Sequence, residues 1–322
     1  MILNAKKIGT PPPKVETIDI PGGDGVLDLS DFFDGIKYKN RKLTFEFSTI
    51  VPRAQFMDVF TQVQNLLHGQ RMDIQPSDDS WYYTGRVSVN EWKADKAVGT
   101  FTVECDCDPY KHRYTAQSVR LTGANLINLA AGVLMTPEWA KNTTGYTFSR
   151  STTTAGSFVH FAVPVARGKQ YRFAADYSGS TRLLYVYSDR LFGNLIAKAD
   201  SGGACVFTAP TSGVYLFGLY VTSAATDGTF ANVMLTEGAE AVPYAAYDTA
   251  TKTVTATFAN TRLQAVPTVY TTSTLTVENG HNFATLSAGE NVLPEFAFTM
   301  GDNTLTFKGN GVAAVEWREG AL

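Results

Sequence analysis

Only one stretch of this chain carries the periodicity of a helix, and that confines almost everything else to strands. Phe56, Val59, Phe60, Val63, Leu66 and Leu67 recur at i, i+3, i+4, i+7, i+10 and i+11, a single apolar stripe within Arg53–His68. Pro52 suits the start of that helix and Gly69 a left-handed exit from it. Elsewhere the apolar residues alternate over short segments punctuated by Gly, Pro and Ser/Thr, the pattern of antiparallel strands and turns. The expectation is a mainly β chain whose one helix packs its stripe on a sheet.

The strands fall into three textures. Lys42–Phe47, Met72–Ile74, Trp81–Asn90 and Gly99–Asp106 form an aromatic-rich, charged block around the helix, with PSDDS as a turn. Residues 1–20, with Pro11, Pro12 and Pro13, read as a stiff extended arm. From Leu121 the chain turns neutral and hydroxyl-rich. Strands are expected at 145–149, 158–163, 170–176, 182–188, 204–208, 214–221 and 229–235, at the spacing of a β-sandwich. After Tyr247 a second β unit follows, with strands at 252–258, 266–277, 282–287, 292–298, 303–307 and 312–318 and no exact internal repeat. Changes of texture at 114–121 and 247–252 thus mark a module set into a two-ended scaffold. The domains read from this are 1–117, 118–247 and 248–322.

Composition excludes some functions. The chain has 322 residues and a formal charge of −3, and no third of it has the basic excess that phosphate-backbone binding needs, so nucleic acid is not an expected partner. The N-terminus lacks a signal-like apolar core and no run is long enough to span a bilayer, so no membrane partner is expected. Three cysteines, two of them on one strand face at 105 and 107, read as reduced, buried thiols. The four histidines are scattered, and there is no HExxH, GxSxG or phosphate loop. The chain reads as a non-enzyme without a cofactor. A structural cation near Asn232 and Glu237 competes with the plainer reading of a backbone-capping pair.

The order of motifs then suggests a family. IPGGDGVLDLSDFFDG (20–35), Tyr38, Arg41, KLTFEF, the single helix, SWYYTGRVSV (80–89) and GTFTVECDCDPYKH (99–112) together resemble the N-terminal domain of siphophage distal tail proteins, over about 110 residues. FANTRLQAVPTVYTTSTLTVENG and GDNTLTFKGNGVAAVEWREGAL, with Gly301, Asn303, Arg318, Glu319, Gly320 and Leu322, resemble that family's galectin-like C-terminal domain. The middle resembles the carbohydrate-binding-module-like sandwiches inserted in phage tail proteins, through GANLINL (123–129), KQYRFAADYSG (169–179), FTAPTSGVYLFGLYV (207–221) and ANVMLTEGAEAVPYAAY (231–247).

The resemblance implies an N-terminal β-sandwich or tube-like domain with one helix, an inserted jelly-roll sandwich and a galectin-like C-terminal domain. It also implies a virion protein, made in the host bacterial cytoplasm and placed at the tail tip. There it would form a homohexameric ring between the tail tube protein and the tail-associated fibre or lysin. The strand edges of 40–50 and 81–106 would pair with neighbouring subunits. The alternative is a stand-alone carbohydrate-binding protein with no assembly role.

For the middle module the chemistry expected is sugar binding, which needs flat aromatic faces with polar groups beside them. Candidate residues are Trp139, Tyr146, Tyr185, Tyr187, Asp189, Arg190 and Asn194, with host cell-wall polysaccharide as the ligand. Phe192, Tyr220, Asp176 and Arg182 are further possibilities of the same kind. Tyr171, Phe173, Phe207, Tyr215 and Phe217 alternate as core. Trp139, after Pro137 and Glu138 in a loop-like stretch, stands out, and Trp139→Ala is expected to weaken glycan binding without unfolding.

Overall fold

The computed structural model describes residues 1–30, 36–95, 98–151, 155–179, 182–189, 192–200 and 203–322. The chain is mainly β and antiparallel, with one α-helix among the described residues. It divides into two compact units, Met1–Arg113 with Gly320–Leu322, and Tyr114–Glu319.

The first unit contains β1 (Ile2–Ile8), β2 (Thr17–Asp19), β3 (Val26–Asp28), β4 (Arg41–Thr49), α1 (Phe56–Leu67), β5 (Arg71–Ile74), β6 (Tyr83–Asp95), β7 (Val98–Cys107) and the start of β8 (Lys111–Arg120). Five strands form one sheet in the order β1-β4-β7-β6-β5, and β2 and β3 form a separate two-stranded ribbon. Cross-strand pairs Leu43↔Cys105, Phe45↔Val103 and Phe47↔Phe101 line up on the face that the helix covers. Phe56 and Val63 of α1 are buried there, while Leu66, in the stripe by spacing, is 72% exposed. A 3₁₀ turn at Arg53–Gln55 follows Pro52 and leads into α1. Gly69 leaves α1 at φ +79°, a conformation that a Cβ would strain.

The N-terminal arm is extended over Ile2–Ile8, which pairs with β4 and edges the sheet. One expectation changes here. The strands of 40–50 and 81–106 are mostly paired within the chain. β4 and β7 lie inside the sheet, and β6 gives β5 its outer edge only over Tyr83–Arg86. The open edges are β1, β5 and the part of β6 beyond its pairing with β5.

The second unit holds two sandwiches. The first runs through β9 (Val133–Leu134), β10 (Trp139–Lys141), β11 (Tyr146–Ser149), β12 (Ser157–Val165), β13 (Gln170–Gly179), β14 (Arg182–Tyr187), β15 (Leu195–Asp200), β16 (Cys205–Thr208), β17 (Gly213–Val221) and β18 (Asp227–Glu237). Its sheets are β10-β11-β18-β13-β16 and β15-β14-β17-β12-β9. Within them, β11-β18-β13-β16 faces β12-β17-β14-β15, the two-Greek-key order of a jelly roll. Tyr171, Phe173, Phe207, Tyr215 and Phe217 are all buried between the sheets, as their alternation requires.

The second sandwich contains β19 (Lys252–Asn260), β20 (Thr268–Thr271), β21 (Leu275–Glu278), β22 (Phe283–Leu286), β23 (Gly289–Val292), β24 (Gly301–Gly309) and β25 (Val312–Ala321). Its sheets are β19-β24-β21-β22 and β23-β20-β25-β8. Val119 and Leu121 are therefore buried with Phe258, Phe307 and Trp317 in the second core. β8 crosses the boundary expected at 117/118 and supplies a strand to the C-terminal sandwich, so the jelly roll sits between that sandwich's first and second strands. The expected strand at 292–298 is instead a 3₁₀ turn at Pro294–Phe296, since Pro294 has no N–H to give a ladder.

Asn310 stitches the inbound and outbound chain together. Its Nδ2 donates to Asp248 O (2.7 Å) and Ala250 O (2.8 Å), with Leu121 O at 3.5 Å. Tyr247 Oη donates to its Oδ1 at 2.6 Å.

Candidate functional site

Strand alternation builds an aromatic surface on the jelly roll. On β12, Val159 and Phe161 point into the core, so Phe158 and His160 point out. On β14, Leu184 and Val186 are buried and Tyr185 and Tyr187 are half-buried on the outer face. On β17 between them, Phe217 and Leu219 point in, and Gly218 and Tyr220 share the outward parity. The register sets His160 and Tyr185 on either side of Gly218, and Phe158 beside Tyr220.

The rings meet in a defined arrangement. Tyr185 and Tyr187 stack at 5.8 Å and 22°, and Tyr220 stands edge-on to Tyr185 at 5.4 Å and 87°. Phe192, from the loop after β14, stands nearly perpendicular to Tyr187 (5.3 Å, 89°), Phe158 (4.8 Å, 79°) and His160 (5.3 Å, 78°). Its backbone is left-handed, φ +57°, an unusual conformation for a bulky residue. Together Phe158, Tyr185, Tyr187, Phe192, Gly218 and Tyr220 line a cleft of about 280 Å³. Burial pushes the His160 imidazole pKa below its ordinary 6.5 and keeps the ring neutral.

The candidates named from sequence separate into four groups. Tyr185 and Tyr187 line the cleft. Asp189 and Asn194 stand beside it and shape the loop: Asp189 Oδ1 accepts from Gly193 N (2.9 Å), and Asn194 Nδ2 donates to Ser188 Oγ (2.7 Å). Arg190 lies outside the described residues, as does the side chain of Arg182. Trp139 and Tyr146 are not at this surface. Trp139 is 4% exposed, donates from Nε1 to Ser157 Oγ (3.0 Å) and packs its ring 5.0 Å from Phe148. Its loop-like context is β10, paired to β11 as Trp139↔Phe148. Tyr146 is 2% exposed, and its hydroxyl donates to Leu129 O. Phe158, His160 and Gly218 also belong to this surface, and the period-two pattern marks them, since each alternates with a core residue.

Other chemistry is poorly served. Burial pushes the Cys105 thiol pKa up to about 11 and those of Cys107 and Cys205 up to about 12, which suppresses the reactive thiolate. Asn232, at φ +51°, donates from Nδ2 to Asp176 Oδ2 (2.7 Å), while Glu237 faces Lys169 at 3.8 Å. No metal-holding group of His, Cys, Asp or Glu occurs among the described residues. Arg150 instead places a cation among backbone carbonyls. It donates to Ala225 O (2.7 Å), Ala155 O (2.8 Å), Thr222 O (3.1 Å) and Ser223 O (2.8 Å), with its guanidinium 5.0 Å from the Phe148 ring centre. A second hollow, about 510 Å³, borders Tyr247, Ser273 and Asn310, whose polar atoms already bond one another.

The first unit carries a different kind of surface. Ile2, Leu3 and Ile8 on β1, and Val15, Ile18, Ile20, Val26 and Leu27 in and around the ribbon, are all exposed. No helix among the described residues is long and apolar enough to cross a membrane.

No protein-family model matches the chain, and no curated protein does. Among solved structures it is similar to the SPP1 Dit (gp 19.1) protein, described as a paradigm of hub adsorption apparatus in phages infecting Gram-positive bacteria. That likeness has 12% identity and a TM-score of 0.35, over all of this chain and 93% of the other. It is too slight to carry an argument about function.

Proposed function

We propose that the chain is a structural hub at the tip of a long non-contractile phage tail. Residues 1–117 form a homohexameric ring that joins the tail tube protein to the tail-associated fibre or lysin. Residues 118–247 form an accessory module that takes host cell-wall polysaccharide, and 248–322 the galectin-like companion. The protein acts by assembly and contact, and performs no chemistry.

The observation that carries this reading is the apolar surface of β1 and the β2–β3 ribbon. An isolated two-stranded ribbon is marginal in water, and an open edge strand invites pairing. Exposed apolar side chains on an open edge strand and on an isolated ribbon fit an interface. A closed ring of copies covers both features at once. The order of motifs over residues 20–112 supports the same reading, and the ring contacts move from the interior strands to β1 and the ribbon.

The test is native mass spectrometry and negative-stain microscopy of the full chain. Rings of six copies are expected, and Ile18→Asp with Leu27→Asp should release monomers with unchanged thermal unfolding. A wild-type chain that stays monomeric over a broad concentration range overturns the ring. If such a monomer still binds wall polysaccharide, the stand-alone carbohydrate-binding protein becomes the better reading.

A further inference from the structure

Gly218 has no backbone reason to be glycine. Its φ lies outside the left-handed region, and the nearest atoms a Cβ there would meet are Tyr185 Cβ at 3.8 Å and the carbonyls of Tyr185 and Val159 at 3.9 Å, ordinary contacts. Glycine inside a strand weakens it, through its backbone freedom and its lack of a side chain to pack. β17 is also a central strand, hydrogen-bonded on both sides. What the missing side chain leaves is the open floor of the aromatic cleft.

We infer that the cleft over Gly218 holds a single neutral hexopyranose ring, its apolar face against the aromatic walls. This rests on the glycan-binding reading of the module and narrows it to a site and a class of sugar. Size supports it: pockets for drug-sized ligands run roughly 300–1,000 Å³, so about 280 Å³ suits one sugar ring better than several. The walls support it too, since five of the six lining residues are aromatic and the phenol hydroxyls of Tyr185, Tyr187 and Tyr220 are the side-chain polar groups among them.

Charge points to a neutral ligand. No charged side chain lines the cleft among the described residues. The Lys198 ammonium already lies 6.0 Å from the Tyr185 ring centre, which opposes a cationic ligand at that wall.

The test uses the full chain with methyl glycosides of glucose, galactose and N-acetylglucosamine, set against glucuronic acid and glucose 6-phosphate. Binding is read by saturation-transfer NMR and calorimetry. Gly218→Val fills the floor with a residue that strands favour, so the variant is expected to fold. Tyr187→Ala removes a wall as an independent check. At least one neutral glycoside is expected to bind, and to bind at least tenfold more weakly to both variants. Binding confined to the acidic sugars, or unchanged in Gly218→Val, overturns this assignment and leaves glycan binding elsewhere in the module standing. If neither these sugars nor purified wall polysaccharide binds the wild-type chain, the glycan reading falls and this inference with it.

Discussion

Replacing Arg150 by Met should unfold the jelly roll at a markedly lower temperature, although Arg150 does not line the aromatic cleft. Methionine keeps much of the apolar stem and deletes the guanidinium with its bonds to four backbone carbonyls. The bonds to Ala225 O and Thr222 O are part-buried, and a charged donor there contributes about 1.5–2 kcal/mol each. Those to Ala155 O and Ser223 O are exposed, and water can replace them at little loss. The guanidinium on the Phe148 face adds about 0.5–1 kcal/mol. The sum is about 4 kcal/mol, or a fall of roughly 12 °C or more in Tm for a domain of this size. Differential scanning calorimetry of the full chain measures it, and hydrogen exchange in peptides covering 146–149 and 222–225 localises it. Arg150→Lys, which offers a point charge rather than a planar fork, should recover less than half. A fall under about 3 °C for Arg150→Met would show that water already satisfies these carbonyls and would refute the reasoning.

Trp139→Ala should destabilise the module by about 3–5 kcal/mol, because it opens a cavity beside Phe148 and removes one of the two hydrogen bonds of Ser157 Oγ, leaving that to Thr136 Oγ1. Denaturant titration of this variant beside Tyr187→Ala checks it, since equal stability losses would contradict the core and surface assignments. His160 gives the module a pH dependence. Burial lowers its pKa in the folded state, so the unfolded chain takes up the proton first. The stability it permits is full above the unfolded value near 6.5 and is lost as pH falls through the lower folded value. Tm measured from pH 7.5 to 5 should therefore fall less steeply in His160→Gln, and identical slopes would remove His160 from the account.

Much of the fold was legible because its strands are amphipathic. β12, β13 and β17 alternate large apolar residues with smaller or polar ones, and their period of two needs no further information. β8 and β15 were missed for the opposite reason. In KHRYTAQSVR only Val119 is buried, so the strand is held by its place in a ladder and not by its own pattern. The long segment at 266–277 breaks into β20 and β21 because Thr272–Thr274 turn between two sheets, a choice no periodicity records. The turns hold a local repeat that residue spacing does show in retrospect. In Ser287-Ala-Gly-Glu-Asn291 and Thr299-Met-Gly-Asp-Asn303 the asparagine Nδ2 donates to the carbonyl of the first residue (2.8 Å in each) and its Oδ1 accepts from that residue's N–H. The site was half legible. Tyr185 and Tyr187 share a face by parity alone. Nothing local reveals that Trp139 is covered, or that a glycine two strands from either edge leaves a floor.

The stitching of β8 into the C-terminal sandwich has a consequence for synthesis. β8 leaves the ribosome early, yet its partner β25 comes almost two hundred residues later. The jelly roll between them is complete by Glu237 and can fold while the tail of the chain is still being made. The C-terminal sandwich must close after the jelly roll has been made, and Asn310, in the turn between β24 and β25, then secures both chain crossings. With its two ends held together by the folded guest, the sandwich closes a short effective loop instead of a long floppy one. The ordering makes the guest a nucleus for its host, and release of an incomplete chain would yield a finished jelly roll on an unfinished scaffold.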